Sequence, residues 1–149
     1  VYKRQDLPGE DLYGLARLLH DLGQSDRAEV AFEQAARQGQ GRPVREMAMR
    51  DLAYLLKRQE RREEALLWWR ELVESGSAVY ACEELAKHYE WHDEDLAQAI
   101  AWTGQGIALA KAQPPGPRRR DTLTGLEHRL ERLNRTLAPP DTPADEAPG

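Results

Sequence analysis

The fold is decided by residues 51–69, which read DLAYLLKRQERREEALLWW. Leu52-Ala53 opens an apolar stripe with helical spacing, and the stripe stops at a polar turn. Ala65 and Trp69 then begin a second stripe of the same period. Two helices joined by a short turn explain this pattern. The alanines let the helices approach closely, and the bulky residue one turn later fills the space beside a neighbouring pair.

The same pattern occurs three times along the chain. Ala28, Ala65 and Ala99 are equivalent, and they stand 37 and then 34 residues apart. One helix pair cannot bury its own apolar face, so stacked pairs must supply the core. We therefore predict an all-α fold, a right-handed α-solenoid of about three helix-turn-helix repeats. The other repeated positions are Leu15-Ala16 with Phe32, Leu52-Ala53 with Trp69, and Leu85-Ala86 with Thr103.

The segments around the repeats are predicted to close the stack or to lie outside it. Residues 1–9 form a leader, whose first part resembles a translated sequencing adapter; with no initial methionine, we expect a piece of a longer protein. Residues 10–137 form the helical domain. A helix over 120–137, with leucines at helical spacing, caps the stack. Residues 138–149 should be disordered. The cap side chains expected to face water are Glu127, Arg129, Glu131 and Arg132.

The third repeat is the least regular of the three. Gly104 and Gly106 lie inside its second helix. Each glycine costs about 1 kcal/mol relative to alanine in a helix interior. We expect the softest part of the stack at this point.

Composition does not favour nucleic acid or an anionic membrane as a partner. The net charge is −5, and the sequence has no apolar run long enough to span a bilayer. The single cysteine, Cys82, cannot form an intrachain disulfide, and such usage is typical of a reducing cytosol. We therefore expect a cytoplasmic protein without a membrane partner.

Residues 10–112 resemble tetratricopeptide repeats in their Leu-Ala, alanine and aromatic spacing. The early tryptophan and the late proline of that consensus are absent or replaced here. Tetratricopeptide proteins bind peptides or helices along a concave groove, so the resemblance implies a scaffold or protein-binding role. The expected partner is another protein or peptide, or a missing N-terminal domain of the same protein. The carboxylate clamp of the chaperone-binding members needs asparagines, and the only asparagine is Asn134 in the cap. That sub-type is therefore rejected.

In such a stack the first helix of each pair lines the groove. Steps of three or four residues along those helices select one side of each. Aromatic side chains between arginines and lysines could hold an acidic or C-terminal peptide; the alternative is a solvated face with ordinary scattered charge. The predicted groove residues are Tyr13, Arg17, His20, Arg50, Tyr54, Lys57, Tyr80 and Lys87, with Met47, Glu83 and Glu90 among them.

A narrower resemblance covers residues 84–90 and 95–103, which read ELAKHYE and DLAQAIAWT. These runs are similar to the C-terminal helical tail of bacterial ribonuclease-H-like exonuclease proteins of the YprB type. In that family a metal-dependent nuclease domain precedes the tail, so the resemblance implies an accessory region that cannot cut nucleic acid alone. Trp91 and the twin glycines depart from the family pattern.

No residue set predicts catalysis, a cofactor or a metal. His88 and His92 have the spacing of a helical metal pair, but no third ligand is fixed, and we interpret them as surface residues. The acidic clusters at 63–64, 83–84 and 93–95 should be exposed, whereas acid–base catalysis needs carboxyls in a pocket. The basic clusters at 57–62 and 118–120 could contact phosphates but more often are solvated. Trp68, Trp69 and Trp102 are expected to pack between helices.

Overall fold

The computed structural model describes residues 9–38, 41–76 and 78–138. The predicted leader and tail lie outside these ranges except at Gly9 and Ala138. The described residues form seven helices and no strand, which confirms the all-α class. The helices are α1 (Gly9–Asp21), α2 (Ser25–Gln38), α3 (Arg42–Arg58), α4 (Arg62–Glu74), α5 (Val79–Trp91), α6 (Leu96–Lys111) and α7 (Pro117–Leu137).

The chain divides into two compact units, Val1–Gly76 and Ser77–Gly149. Unit 1 contains α1 to α4, and unit 2 contains α5 to α7. Within the ranges that the structure describes, no helix is both long enough and apolar enough to cross a membrane.

Unit 1 is built from consecutive helices that pack side by side. α1 packs on α2, α2 on α3 and α3 on α4, while α1 also touches α3. The repeated alanines Ala16, Ala28 and Ala53 are fully buried, as close helix packing requires. Phe32 and Trp69 are 2% exposed, so the prediction that these equivalent aromatics belong to the core is confirmed.

Two arginines tie the loops of unit 1 to its helices. Arg61, just before α4, donates to both carboxylate oxygens of Glu29 on α2 and to both oxygens of Glu64 on α4. Arg42, at the start of α3, donates to the carbonyl oxygen of Ser75 after α4. The next residue, Gly76, has a φ of 109°, a conformation that favours glycine.

Unit 2 depends on a close approach at Gly106 of α6. A Cβ atom built there would lie 3.1 Å from the Cβ of Cys82 on α5 and 3.4 Å from Cδ2 of Leu126 on α7. Gly106 is therefore a packing residue, whereas a Cβ atom at Gly104 would meet nothing within 4 Å. That the third repeat is the softest part of the stack stays a prediction. Asp95 caps α6 by accepting from the Gln98 amide at 3.1 Å.

α7 begins at Pro117 rather than at residue 120, because Pro117 occupies the first turn, where a missing amide hydrogen costs nothing. The leucine stripe is buried in part: Leu126 and Leu133 are buried, Leu123 and Leu130 are half-buried, and Leu137 is 51% exposed. Glu127 and Glu131 are exposed, as expected. The expectation that Arg129 faces water is wrong, because its side chain is only 20% exposed, whereas that of Arg132 is 43% exposed. Both arginines bind the carboxylate of Glu90 on α5.

Candidate functional site

Unit 1 has a cleft of about 190 Å³ on the side where α1 faces α3. Its floor is apolar, formed by Phe32 and Leu55, which are both buried. Tyr54 forms a wall and is 56% exposed. We call this feature the α1–α3 cleft. Its lining residues are Arg17, His20, Phe32, Asp51, Tyr54 and Leu55.

Asp51 is the polar centre of the cleft. Its Oδ2 accepts a hydrogen bond from the hydroxyl of Tyr13 at 2.7 Å and lies 3.6 Å from Nη1 of Arg17. Its Oδ1 accepts from Nε of Arg50 at 3.3 Å. Arg17 Nη1 also donates to the Tyr13 hydroxyl at 3.2 Å. One carboxylate therefore faces two guanidinium groups, and both of these are about half exposed.

The electrostatics of the network follow from this arrangement. Burial raises the pKa of Tyr13, and the hydrogen bond to Asp51 raises it further. The hydrogen bond to Tyr13 raises the pKa of Arg17. Tyr13 is therefore a neutral donor and Arg17 a cation. The Arg17 side chain is 52% exposed, and its guanidinium carries N–H groups besides the one on Nη1 that donates to Tyr13. Arg17 can therefore donate to an anionic or carbonyl group that enters the cleft.

The aromatic rings around the floor are held in place by one another. The Tyr13 and Phe32 centroids are 6.1 Å apart, and the His20 ring meets Phe32 edge-on at 6.5 Å. The guanidinium of Arg58 lies 5.8 Å from the centroid of Tyr54. Rigid rings beside an apolar floor can bury an apolar side chain of a ligand at low entropic cost.

The structure brings together five of the predicted groove residues, all in unit 1: Tyr13, Arg17, His20, Arg50 and Tyr54. Lys57 lies one turn after Tyr54 on α3 and is half-buried, as is Met47. The remaining four belong to α5 in unit 2: exposed Tyr80, Lys87 beside Glu84 at 3.7 Å, half-buried Glu83, and Glu90 bound to α7.

Sequence reasoning missed Asp51, the residue that joins the others. Steps of three and four from Arg50 pass it by, and an acidic residue did not fit a groove selected for aromatics and cations. Tyr13 and Arg17 lie four apart on α1, so the sequence places them on one helix face. It does not indicate that a carboxylate of α3 meets them, because Asp51 comes from two helices further along the chain.

The interpretation of His88 and His92 as a surface pair is wrong for His88. That side chain is 2% exposed on α5, stacks on the His92 ring at 5.7 Å, and has Nε2 3.0 Å from Oδ2 of Asp93. His92 follows the end of α5 and is exposed, as expected of a surface residue. Glu63, Glu64 and the 93–95 cluster are exposed, as predicted, whereas Glu83 and Glu84 are half-buried.

The tryptophans outside the core differ in exposure. Trp68 is half-buried under the guanidinium of Arg37 at 5.1 Å, and Trp102 is half-buried on α6. Trp91, which sequence reasoning did not treat as a site, is 65% exposed with the guanidinium of Arg132 5.8 Å from its centroid.

A depression on α7 lies beside Gly125, His128, Arg132 and Arg135.

Comparison with known proteins gives no independent assignment: the sequence matches no model of a protein family, and no curated protein matches it.

Proposed function

We propose that this chain is a non-catalytic protein-interaction module of the tetratricopeptide type, a short stack of helix pairs that binds an extended segment of a partner protein. The observation that carries the proposal is the α1–α3 cleft. It combines an apolar floor, an exposed aromatic wall at Tyr54 and the guanidinium of Arg17. An extended peptide needs such alternating apolar and polar contacts.

The arrangement of unit 1 supports the tetratricopeptide part of the proposal. The first helices of its two pairs, α1 and α3, touch each other and together line the cleft. Ala16 and Ala53, which are equivalent in the repeat, are both fully buried. A groove lined by first helices is what the resemblance implies.

Peptide binding is tested by fluorescence anisotropy with three fluorescein-labelled probes. The acidic probe alternates glutamate with leucine, the basic probe has lysine for glutamate, and the neutral probe has glutamine. At least one probe should bind the full chain, and Tyr54→Ala should weaken that binding about fivefold or more, as the loss of an aromatic anchor does.

The matched control is Leu67→Ala. Leu67 is 60% exposed, compared with 56% for Tyr54, but lies on α4 and does not line the cleft. Leu67→Ala should leave the affinity for the probe unchanged. If no probe binds, or if Tyr54→Ala and Leu67→Ala weaken binding equally, the proposal is lost.

A second candidate is an accessory region of a ribonuclease-H-like exonuclease. The resemblance at residues 84–103 supports it, as do Arg132 and Arg135, which line a depression on α7 together with Glu131. The guanidinium of Arg132 also lies 5.8 Å from the ring centroid of the exposed Trp91. A gel-shift with single-stranded DNA at moderate salt tests it. A shift that disappears when Arg118, Arg119 and Arg120 are neutralised favours this candidate, and a missing shift removes it.

A cytoplasmic location belongs to the same proposal. Its support is Cys82, a buried and unpaired thiol.

A further inference from the structure

The α1–α3 cleft holds a carboxylate of its own. Asp51 lines the cleft, its side chain is 21% exposed, and its two oxygens face Arg17 and Arg50. In the free protein these arginines therefore already have an anionic neighbour. A ligand that brings a second carboxylate must share or replace it.

The geometry indicates that Asp51 does not hold the arginines rigidly. Its shortest bond is to the Tyr13 hydroxyl at 2.7 Å, whereas Nη1 of Arg17 lies 3.6 Å away, beyond a normal hydrogen bond. The bond from Arg50 is long, at 3.3 Å, and comes from the adjacent residue. Asp51 is anchored by Tyr13, and the arginines are attracted to its charge.

We propose that Asp51 sets the charge selectivity of the cleft: it occupies the place of a ligand carboxylate beside Arg17, and a ligand with an acidic group next to an apolar one binds by displacing it. This inference rests on the proposed peptide-binding function. The apolar group of the ligand packs on Phe32 and Leu55, and the acidic group takes the place of the Asp51 carboxylate beside Arg17.

Asp51→Asn tests the proposal with the acidic and basic probes. Asparagine keeps the shape and can still accept from Tyr13, but it removes the competing charge. The acidic probe should bind about two- to fivefold more tightly to the variant than to the unchanged chain, and the basic probe should bind more weakly, because an exposed ion pair is worth about that much. The gain should shrink as salt is added.

Asp21→Asn is the matched control. Asp21 also acts electrostatically on Arg17, but it is exposed and does not line the cleft. Both variants change the net charge equally, so only direct competition makes Asp51→Asn the stronger. Circular dichroism checks that each variant is folded.

Failure of the role proposed for Asp51 can be distinguished from failure of peptide binding. If the acidic probe binds the unchanged chain and Asp51→Asn weakens it, Asp51 positions Arg17 rather than competing for the ligand, and the inference is overturned alone. Equal gains for Asp51→Asn and Asp21→Asn also overturn it, because only overall charge then matters. If neither protein binds any of the three probes, the proposed function fails and the inference with it.

Discussion

Glu90 of α5 accepts hydrogen bonds from Arg129 at 2.8 Å and from Nη2 of Arg132 at 3.2 Å, through a side chain that is only 6% exposed. Both arginines belong to α7, so this carboxylate joins the first and last helices of unit 2. Arg129 is 20% exposed and Arg132 43%, which means that water screens one side of the cluster. The pKa of Arg132 is raised by the hydrogen bond to Glu90.

Glu90→Gln should destabilise the protein, because it leaves the largely buried Arg129 without its counter-charge. We expect a loss of about 1–3 kcal/mol in the free energy of unfolding. Urea unfolding followed by circular dichroism measures it. Glu127→Gln, which neutralises an exposed glutamate of α7, should change stability by less than about 0.5 kcal/mol. Equal stability of the two variants would contradict the structural role of Glu90.

Gly104 and Gly106 should respond in opposite ways to alanine. Gly104→Ala places a methyl group in open space and should stabilise α6 by about 0.5–1 kcal/mol. Gly106→Ala places it against Cys82 and Leu126, and overpacking should leave this variant about 1–3 kcal/mol less stable than the first. Thermal and urea unfolding of the pair give the difference. If the two substitutions change the free energy of unfolding equally, Cys82 of α5 and Leu126 of α7 do not lie as close to Gly106 of α6 as described.

Cys82 should react slowly while the protein is folded. Burial raises the pKa of its thiol to about 11 from 9.0. The folded state therefore holds about a hundredfold less thiolate than an unfolded chain near neutral pH, in addition to steric protection. Because burial penalises the thiolate, ionisation of Cys82 leaves the free energy of unfolding unchanged below pH 9 and lowers it as the pH rises towards the folded pKa. Alkylation by iodoacetamide should accelerate sharply in urea, and fast labelling without denaturant would contradict burial.

Glu64 should titrate at a lower pH than an isolated glutamate. The hydrogen bond from Arg61 lowers the pKa of Glu64 from 4.5. A lowered pKa means that the stabilising effect of this pair is present above pH 4.5 and is lost as the pH falls through the folded value. Carboxyl NMR titration should show the Glu64 pKa rising in Arg61→Gln. Arg62→Gln removes the same charge one residue away and should change the Glu64 pKa less. Equal changes in the Glu64 pKa would contradict the hydrogen bond from Arg61 to Glu64.

The helices could be predicted because each depends on local spacing. The alanines and aromatics at repeated positions of residues 51–69 gave both helices of that pair, and their counterparts Ala28 and Phe32 are buried as expected. The pairs that join distant segments could not be predicted. The packing of helices decides which polar side chains meet, and the spacing of residues along one helix contains no such information. The bonds of Asp51 to Tyr13 and of Glu90 to Arg129 are of this kind. For the same reason Gly106 was interpreted as a weak point rather than as a contact.

The central claim is that an extended peptide binds in the α1–α3 cleft of unit 1. Chemical-shift mapping tests it most directly: the acidic probe is titrated into isotope-labelled protein, and the backbone amide signals are followed. The account predicts that the largest shifts fall in residues 13–20 of α1 and 50–55 of α3, and that Tyr54→Ala reduces them. Shifts centred on α5 or α7, or no shifts with the acidic, basic and neutral probes, would contradict it.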